Sequence, residues 1–433
     1  MGFASCNDEN NVNGEANIDK GDPTSVVINL NFPKPETSSL RSTNDDPYAT
    51  EDEVKISTVD VFIYATDEGY YLSHTSLTGS DFTQVASGEN STKYVFSSPA
   101  KIATSTGERT VFVGVNLPSD VVAALEHKGT SELTQVAKTL TRSQLVSVNG
   151  IAMTNTTLNN YTFVKEESDP ANNLEITVKR MVAKVTVQKG NPMIQAGVPG
   201  KLGSLSFAIN NFNERSYFIQ GPAPESKDPN WDRYDASEFS QVNYQNEYYR
   251  LVSDSLISDP KKLNALYAAE NTAKTHTKRE ITRATIRATF IPDTIIVYRN
   301  PDYVAVTSAS EGITTPRTFW TVTIYRPNPE MRFFYDETSA KNYAVANGLT
   351  AADVVTYTNG LCYWDLFLNK DVWDVFRNDY YRSTITRIVA PGRSTEEIPD
   401  DDLDDEPSSE TNITFDLEVL DWISITGEYE LEL

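Results

Sequence analysis

Cysteine is nearly absent from this chain. Cys6 and Cys362 are the only two in 433 residues, far apart and in unlike settings, so no disulfide framework holds the fold. Basic residues are in deficit, 37 Lys and Arg against 61 Asp and Glu, which leaves a net charge of −24. Such a field repels phosphate backbones and anionic headgroups, and nucleic acid is set aside as a partner. No run reaches the ~18 apolar residues that a membrane-spanning helix needs. Histidine is scarce as well: His74, His127 and His276 are scattered, with no HExxH among them. There is no GxSxG and no phosphate-binding glycine loop, and Cys362, flanked by Leu361, Tyr363 and Trp364, reads as a core thiol.

Those absences remove most enzyme classes and every obvious cofactor or metal. A glycosidase would use paired carboxylates, but with 61 acidic residues pairs arise anyway and none is singled out. The run Asp400, Asp401, Asp402, Asp404 and Asp405 lacks the spaced oxygen ligands and central glycine of a calcium loop. Trp364, Trp373 and Trp422 are of a type that stacks on sugars, but tryptophan in an alternating run is more often core.

What is present favours a mainly β protein. The chain has 22 Tyr and many short runs rich in Val, Ile, Thr and Tyr, and its length suits two or three domains. Residues 24–32 (TSVVINLNF) set Val26, Ile28, Leu30 and Phe32 on one face, and Pro33 and Pro35 end the strand. Further strands are expected over 54–64, 94–96, 110–117 and 161–164, and over 174–187 as two edges meeting at Arg180. A short helix is expected over 118–127, with weaker helical pattern over 133–145. In the second half strands are expected over 202–212, 248–251, 283–290, 320–325, 360–368 and 377–389, and helices over 261–270 and 339–347.

Both ends of the chain stand out. The opening MGFASC is the kind of site cut by lipoprotein signal peptidase, which would make Cys6 the lipidated residue ahead of a polar spacer. Residues 36–48 are polar and turn-rich, and Arg41 within them is the only arginine before Arg109, an unambiguous target for an arginine-specific protease. Residues 393–411 are charged and rich in Pro and Ser, as in a mobile tether. Beyond them Ile413, Phe415, Leu417 and Val419 alternate with polar residues. The phase slips at Trp422 and returns at Ile423, Ile425, Tyr429, Leu431 and Leu433. Fully extended, residues 412–433 would span roughly 70 Å, more than one domain needs.

Several stretches, spread from end to end, together resemble the fimbrillins of Bacteroidales, the type V pilins, and most closely their Mfa-type major subunits. They are GFASC; Arg41 after a first strand; TVFVGVNL; KRMVAKVTV; RATIRATF followed by Pro292; GLCYWDLFLN followed by FRNDYYRSTITRI; and VLDW with Tyr429 and Leu431 beyond it. The resemblance implies two tandem β-sandwich domains of transthyretin-like type with a few short helices. On it, residues 1–41 are a lipoprotein leader and propeptide, 42–172 an N-terminal sandwich with an acceptor groove, and 173–392 a C-terminal sandwich. Residues 393–411 are then an acidic tether and 412–433 a C-terminal donor strand. It implies acylation of Cys6, export to the outer membrane, cleavage between Arg41 and Ser42, and loss of the strand carrying Val26, Ile28, Leu30 and Phe32. A neighbour's C-terminal strand then fills the groove, a mode in which backbone hydrogen bonds supply affinity and alternate side chains supply register. The implied product is a stalk subunit of a cell-surface fimbria. Its partners are copies of itself, related fimbrial subunits, an arginine-specific protease, the outer membrane through the lipid, and a host or bacterial surface receptor. The runner-up is a tip adhesin or a non-polymerising, glycan-binding surface lipoprotein, which would keep residues 6–41 attached.

Overall fold

The computed structural model describes residues 21–33, 50, 52–85, 93–134, 138–155, 157–195, 199–220, 227–240, 248–258, 262–325, 330–369, 372–389, 391–407 and 413–421. Among them the chain is mainly β, with short helices on the flanks. The first sheet has nine strands. β1 (Pro23–Pro33), β2 (Thr58–Ala65), β3 (Tyr71–Thr78), β4 (Thr83–Val85), β5 (Lys93–Ser105) and β6 (Gly107–Val115) are joined in it by Met153–Asn155, Asn159–Phe163 and Asn173–Arg180. The order runs β3, β2, β6, Met153–Asn155, Asn173–Arg180, β1, β5, β4, with Asn159–Phe163 paired to β6.

Alternation explains this sheet. Val26, Ile28, Leu30 and Phe32 of β1 share one buried cluster with Val59, Val61 and Ile63 of β2, Val111, Val113 and Val115 of β6, and Leu174, Ile176 and Val178. Strands four places apart meet there, so the sheet curls around its own core. β2 is buried on its other face too, where Phe62 and Tyr64 pack with Phe112, Leu125, Leu133, Met181 and Tyr380. That double burial turns an alternating strand into the continuous apolar run VFIY.

The chain leaves this sheet at Met181 and continues as Val182–Gln195 in a four-stranded sheet ordered Ala265–Ala269, Val182–Gln195, Asp379–Ile388, Ile413–Asp421. The boundary expected after residue 172 is therefore displaced. Residues 173–180 belong to the first sheet, because Leu174, Ile176 and Val178 face the same core as β1 and the strand lies parallel beside it. Residues 261–270 also differ from expectation. In place of a helix they contain the strand Ala265–Ala269, paired from Val182↔Ala269 to Thr186↔Ala265. Burial of Ala268 and Ala269 against a sheet outweighs the helical propensity of ALYAA. Over 133–145 two single turns, Ser131–Thr134 and Arg142–Leu145, flank the short strand Lys138–Thr139. The strand expected from residue 54 begins at Thr58, after a 3-10 turn Asp52–Val54, and the one expected over 94–96 is the long β5.

A five-stranded sheet containing Ser206–Asn210, Arg283–Pro292 and Leu361–Phe367 encloses the largest core, which holds Phe207, Ile286, Trp364, Tyr381 and Cys362. Burial pushes the Cys362 thiol up to about 12, as suits an inert core residue. A further sheet, with the unanticipated hairpin Thr294–Arg299 and Asp302–Thr307, carries the helix Glu337–Ala346 on one face.

One buried acid gives the fold a pH dependence. The Asp228 carboxylate accepts hydrogen bonds from the Thr272 backbone and hydroxyl and from Asn230 N, yet burial lifts its pKa to about 7. Its folded pKa lies above the unfolded value, so the native state holds the extra proton between about pH 4 and 7. Stability should fall as pH rises through that window, by on the order of 2–4 kcal/mol, and stay low above it. Denaturant titrations at pH 5 and 8 on the protein and on Asp228→Asn check this, with the variant expected to lose that component of the slope.

The segment expected to be a mobile tether, 393–411, is docked as far as residue 407. Arg393 exchanges backbone hydrogen bonds with Tyr363 at 2.7 and 2.9 Å, and its guanidinium pairs with Asp365. Glu396 accepts from the Tyr249 hydroxyl at 2.7 Å, and Ile398 is buried with Ile281 and Phe367. Arg279 Nε pairs with Asp404 at 2.9 Å. Charge and proline made these residues read as solvated, but partners more than a hundred positions away, such as Arg279 and Tyr249, claim their side chains.

Candidate functional site

The site is the slot that β1 fills. β1 lies between two partners, parallel to Asn173–Arg180 with Ile28↔Leu174 and Leu30↔Ile176, and antiparallel to β5 from Pro23↔Ser105 to Pro33↔Lys93. A bulge against β5 falls between Val26 and Ile28. The segment is thus a central strand contributed by the very front of the described chain, and taking it away would open two ladders at once.

Its inward face carries four apolar side chains. Val26, Ile28, Leu30 and Phe32 are each 2% exposed or less, and Phe32 meets Phe96 edge-on with ring centroids 5.1 Å apart. At ~1.5–3 kcal/mol apiece they contribute roughly 6–12 kcal/mol of gross burial. Shortening one should be costly: Leu30→Ala is expected to destabilise the chain by about 2–5 kcal/mol in chemical denaturation, since the closed core around it has little room to collapse.

The outward face is polar and specific. Asn29 Nδ2 donates to Asn173 Oδ1 at 2.8 Å and to Glu175 Oε1 at 3.1 Å, and Asn31 Nδ2 donates to Glu175 Oε2 at 2.8 Å. One carboxylate therefore receives two alternate amides of the same strand. Asn31 Oδ1 is buried with no hydrogen-bond partner among the described residues. At the entry end the Thr24 hydroxyl donates to the Val164 carbonyl at 2.7 Å and accepts from Asn172 Nδ2 at 3.3 Å. Gly21 precedes it at φ +62°, where an added Cβ would run into the carbonyl of Thr106. In the sequence Asn29 and Asn31 showed only as the polar half of an alternation, and Glu175 gave no signal; a carboxylate one strand away is invisible to periodicity.

The C-terminal residues divide. Ile413, Phe415, Leu417 and Val419 lie in Ile413–Asp421, paired antiparallel to Asp379–Ile388 from Asp379↔Asp421 to Ile388↔Ile413. Leu417 packs on the large core, and Arg382 pairs with Glu418 at 2.6 Å. These four positions, expected to belong to a donor strand, form an edge strand of the chain's own sheet here. Period two fits an edge strand and a donor strand equally. Cys6, Arg41, Ser42, Trp422, Ile423, Ile425, Tyr429, Leu431 and Leu433 lie outside the described residues.

Residues 355–428 match the family described as major fimbrial subunit protein type IV, fimbrillin, C-terminal. The tip fimbrial protein Mfa3 from Porphyromonas gingivalis, solved with a C-terminal truncation, is similar at 13% identity over 92% of this chain and 100% of its own, with a TM-score of 0.38. A fimbrial assembly protein from Parabacteroides distasonis ATCC 8503 is similar at 12% identity over 92% of this chain and 100% of its own, with a TM-score of 0.41. No curated protein sequence matches the chain.

Proposed function

From a chain whose residues 355–428 match the fimbrillin C-terminal family, we infer a structural subunit of a surface fimbria that polymerises by exchanging strands. The observation that carries this reading is β1: a front segment, linked to the rest through residues 34–49 with Arg41 in their midst, serves as an internal strand of a nine-stranded sheet. The precursor is a lipoprotein acylated at Cys6 and held at the outer membrane. An arginine-specific protease cuts between Arg41 and Ser42, β1 departs, and the slot beside Asn173–Arg180 takes a strand from another subunit.

The donor is narrower than the sequence alone suggested. Since Ile413–Asp421 is engaged in its own sheet, residues 422–433 are the donor, and extended they reach about 40 Å, enough for the eleven-residue slot. While β1 is covalently attached it competes at high effective concentration, and a free donor loses. Cutting ends that advantage. The contact is head-to-tail and does not close, so the product is a filament and the subunit a stalk component.

Digestion with an arginine-specific protease tests the reading. One early cut after Arg41 should be followed by ladders on a gel and fibres in the electron microscope, and removal of residues 422–433 should abolish both. A protein cut at Arg41 that releases β1 and remains monomeric at high concentration would refute it.

A further inference from the structure

We propose that Glu175 reads the outward face of whichever strand fills the slot, and so sets the register in which residues 422–433 of a second copy enter; the inference rests on the strand-exchange reading above. Glu175 takes a hydrogen bond on each carboxylate oxygen, from Asn29 and from Asn31, two positions apart on β1. A carboxylate so placed favours amide or hydroxyl donors at those two positions and opposes carboxylates there.

The inward pockets alone do not choose a register. They want large apolar groups at the places of Val26, Ile28, Leu30 and Phe32. Residues 422–433 read WISITGEYELEL, with Ile423, Ile425, Gly427, Tyr429, Leu431 and Leu433 on one parity. Run in the direction of β1, three alignments each fill three of the four pockets and put Gly427 in the remaining one. They begin at Ile423, Ile425 or Gly427 in the place of Val26.

Glu175 separates them. Starting at Ile425 sets Glu428 and Glu430 in the places of Asn29 and Asn31, and starting at Gly427 sets Glu430 and Glu432 there. Both bring two carboxylates onto a third. Starting at Ile423 puts the Thr426 hydroxyl in the place of Asn29, where it donates to Glu175, and leaves one glutamate, Glu428, to be accommodated. The same alignment lays the Tyr429 ring where Phe32 stands against Phe96. Two separate features, one polar and one aromatic, select residues 423–429 as the replacement for 26–32.

Cross-linking decides the register. Ser97 of β5 stands opposite Asn29, so a cysteine there sits beside the donor residue that takes the place of Asn29. Ser97→Cys is combined in turn with Thr426→Cys, Glu428→Cys and Glu430→Cys, the protein is cut after Arg41, and intersubunit disulfides are read on a non-reducing gel. Cys6 leaves with the cut segment and Cys362 is buried, so neither interferes. The Thr426 pair should predominate about fivefold, and Glu175→Lys should shift the product towards the Glu428 and Glu430 pairs. Predominance of either glutamate pair with Glu175 intact would overturn the register, and an unchanged distribution in Glu175→Lys would overturn the role of Glu175. Fibres that form without any cross-link would also overturn the register, whereas a cut protein that never assembles overturns the strand-exchange reading and this inference with it.

Discussion

A chain made to begin at Ser42 should lose the native protection of its first sheet, and a peptide of residues 21–33 added in trans should restore it. β1 brings four inward side chains worth roughly 6–12 kcal/mol of gross burial, against total stabilities of about 5–15 kcal/mol for an ordinary domain. It also closes two hydrogen-bond ladders, on Asn173–Arg180 and on β5, whose backbone groups would otherwise stand open at a new edge. The large core around Trp364 and Tyr381 shares none of these residues, and its strands should keep their protection. Hydrogen exchange read on β5, on Asn173–Arg180 and on Leu361–Phe367 separates the two outcomes. A peptide of residues 422–433 should rescue as the native strand does, and a peptide of 413–421, whose place is beside Asp379–Ile388, should not. Equal protection in β5 with and without β1 would mean that the front strand is an accessory, and the slot would lose its meaning.

The alternation of Val26, Ile28, Leu30 and Phe32 made β1 legible before any coordinates, because one face of a strand buried against a closed core has to be apolar at every second residue. Its neighbours were not legible. Nothing in the sequence links residue 29 to residue 175, and a parallel pairing across more than a hundred residues has no turn to announce it. Residues 393–407, docked where a mobile tether is expected over 393–411, differ for a related reason. Their composition is that of a solvated linker, while Arg393, Glu396 and Asp404 are satisfied by Asp365, Tyr249 and Arg279, each distant in sequence. Composition reports what a segment can do alone, and docking depends on what another segment offers. Likewise ALYAA became a strand because an open edge of Val182–Gln195 lay beside it.

Glu53→Ala should be among the most destabilising single substitutions in the chain. Glu53 sits in the turn Asp52–Val54, ahead of β2 in the first sheet, yet its carboxylate meets Lys184 at 3.0 Å and accepts from the Tyr267 hydroxyl at 2.9 Å, both on strands of the four-stranded sheet. Its backbone carbonyl accepts from Arg180 Nε at 3.0 Å, at the point where the chain crosses between sheets. Glu53 and Lys184 are each 1% exposed, and burial pulls the Lys184 ammonium below its usual range while Glu53 holds the charge in place. Removing the carboxylate leaves that ammonium and the Tyr267 hydroxyl without it in a site closed to water, at a cost of about 3–5 kcal/mol. Replacing both members with apolar groups of similar size, as in Glu53→Leu with Lys184→Met, should recover part of the loss, since the Lys184 charge is then not stranded while buried Arg180, whose charge Glu53 also supports, still loses that carboxylate. Denaturant midpoints for the two single variants and the double variant give the coupling directly. Strictly additive losses would show that the pair does not act as a unit, and the joint between the sheets would then rest on the apolar cluster around Phe62, Met181 and Tyr380 alone.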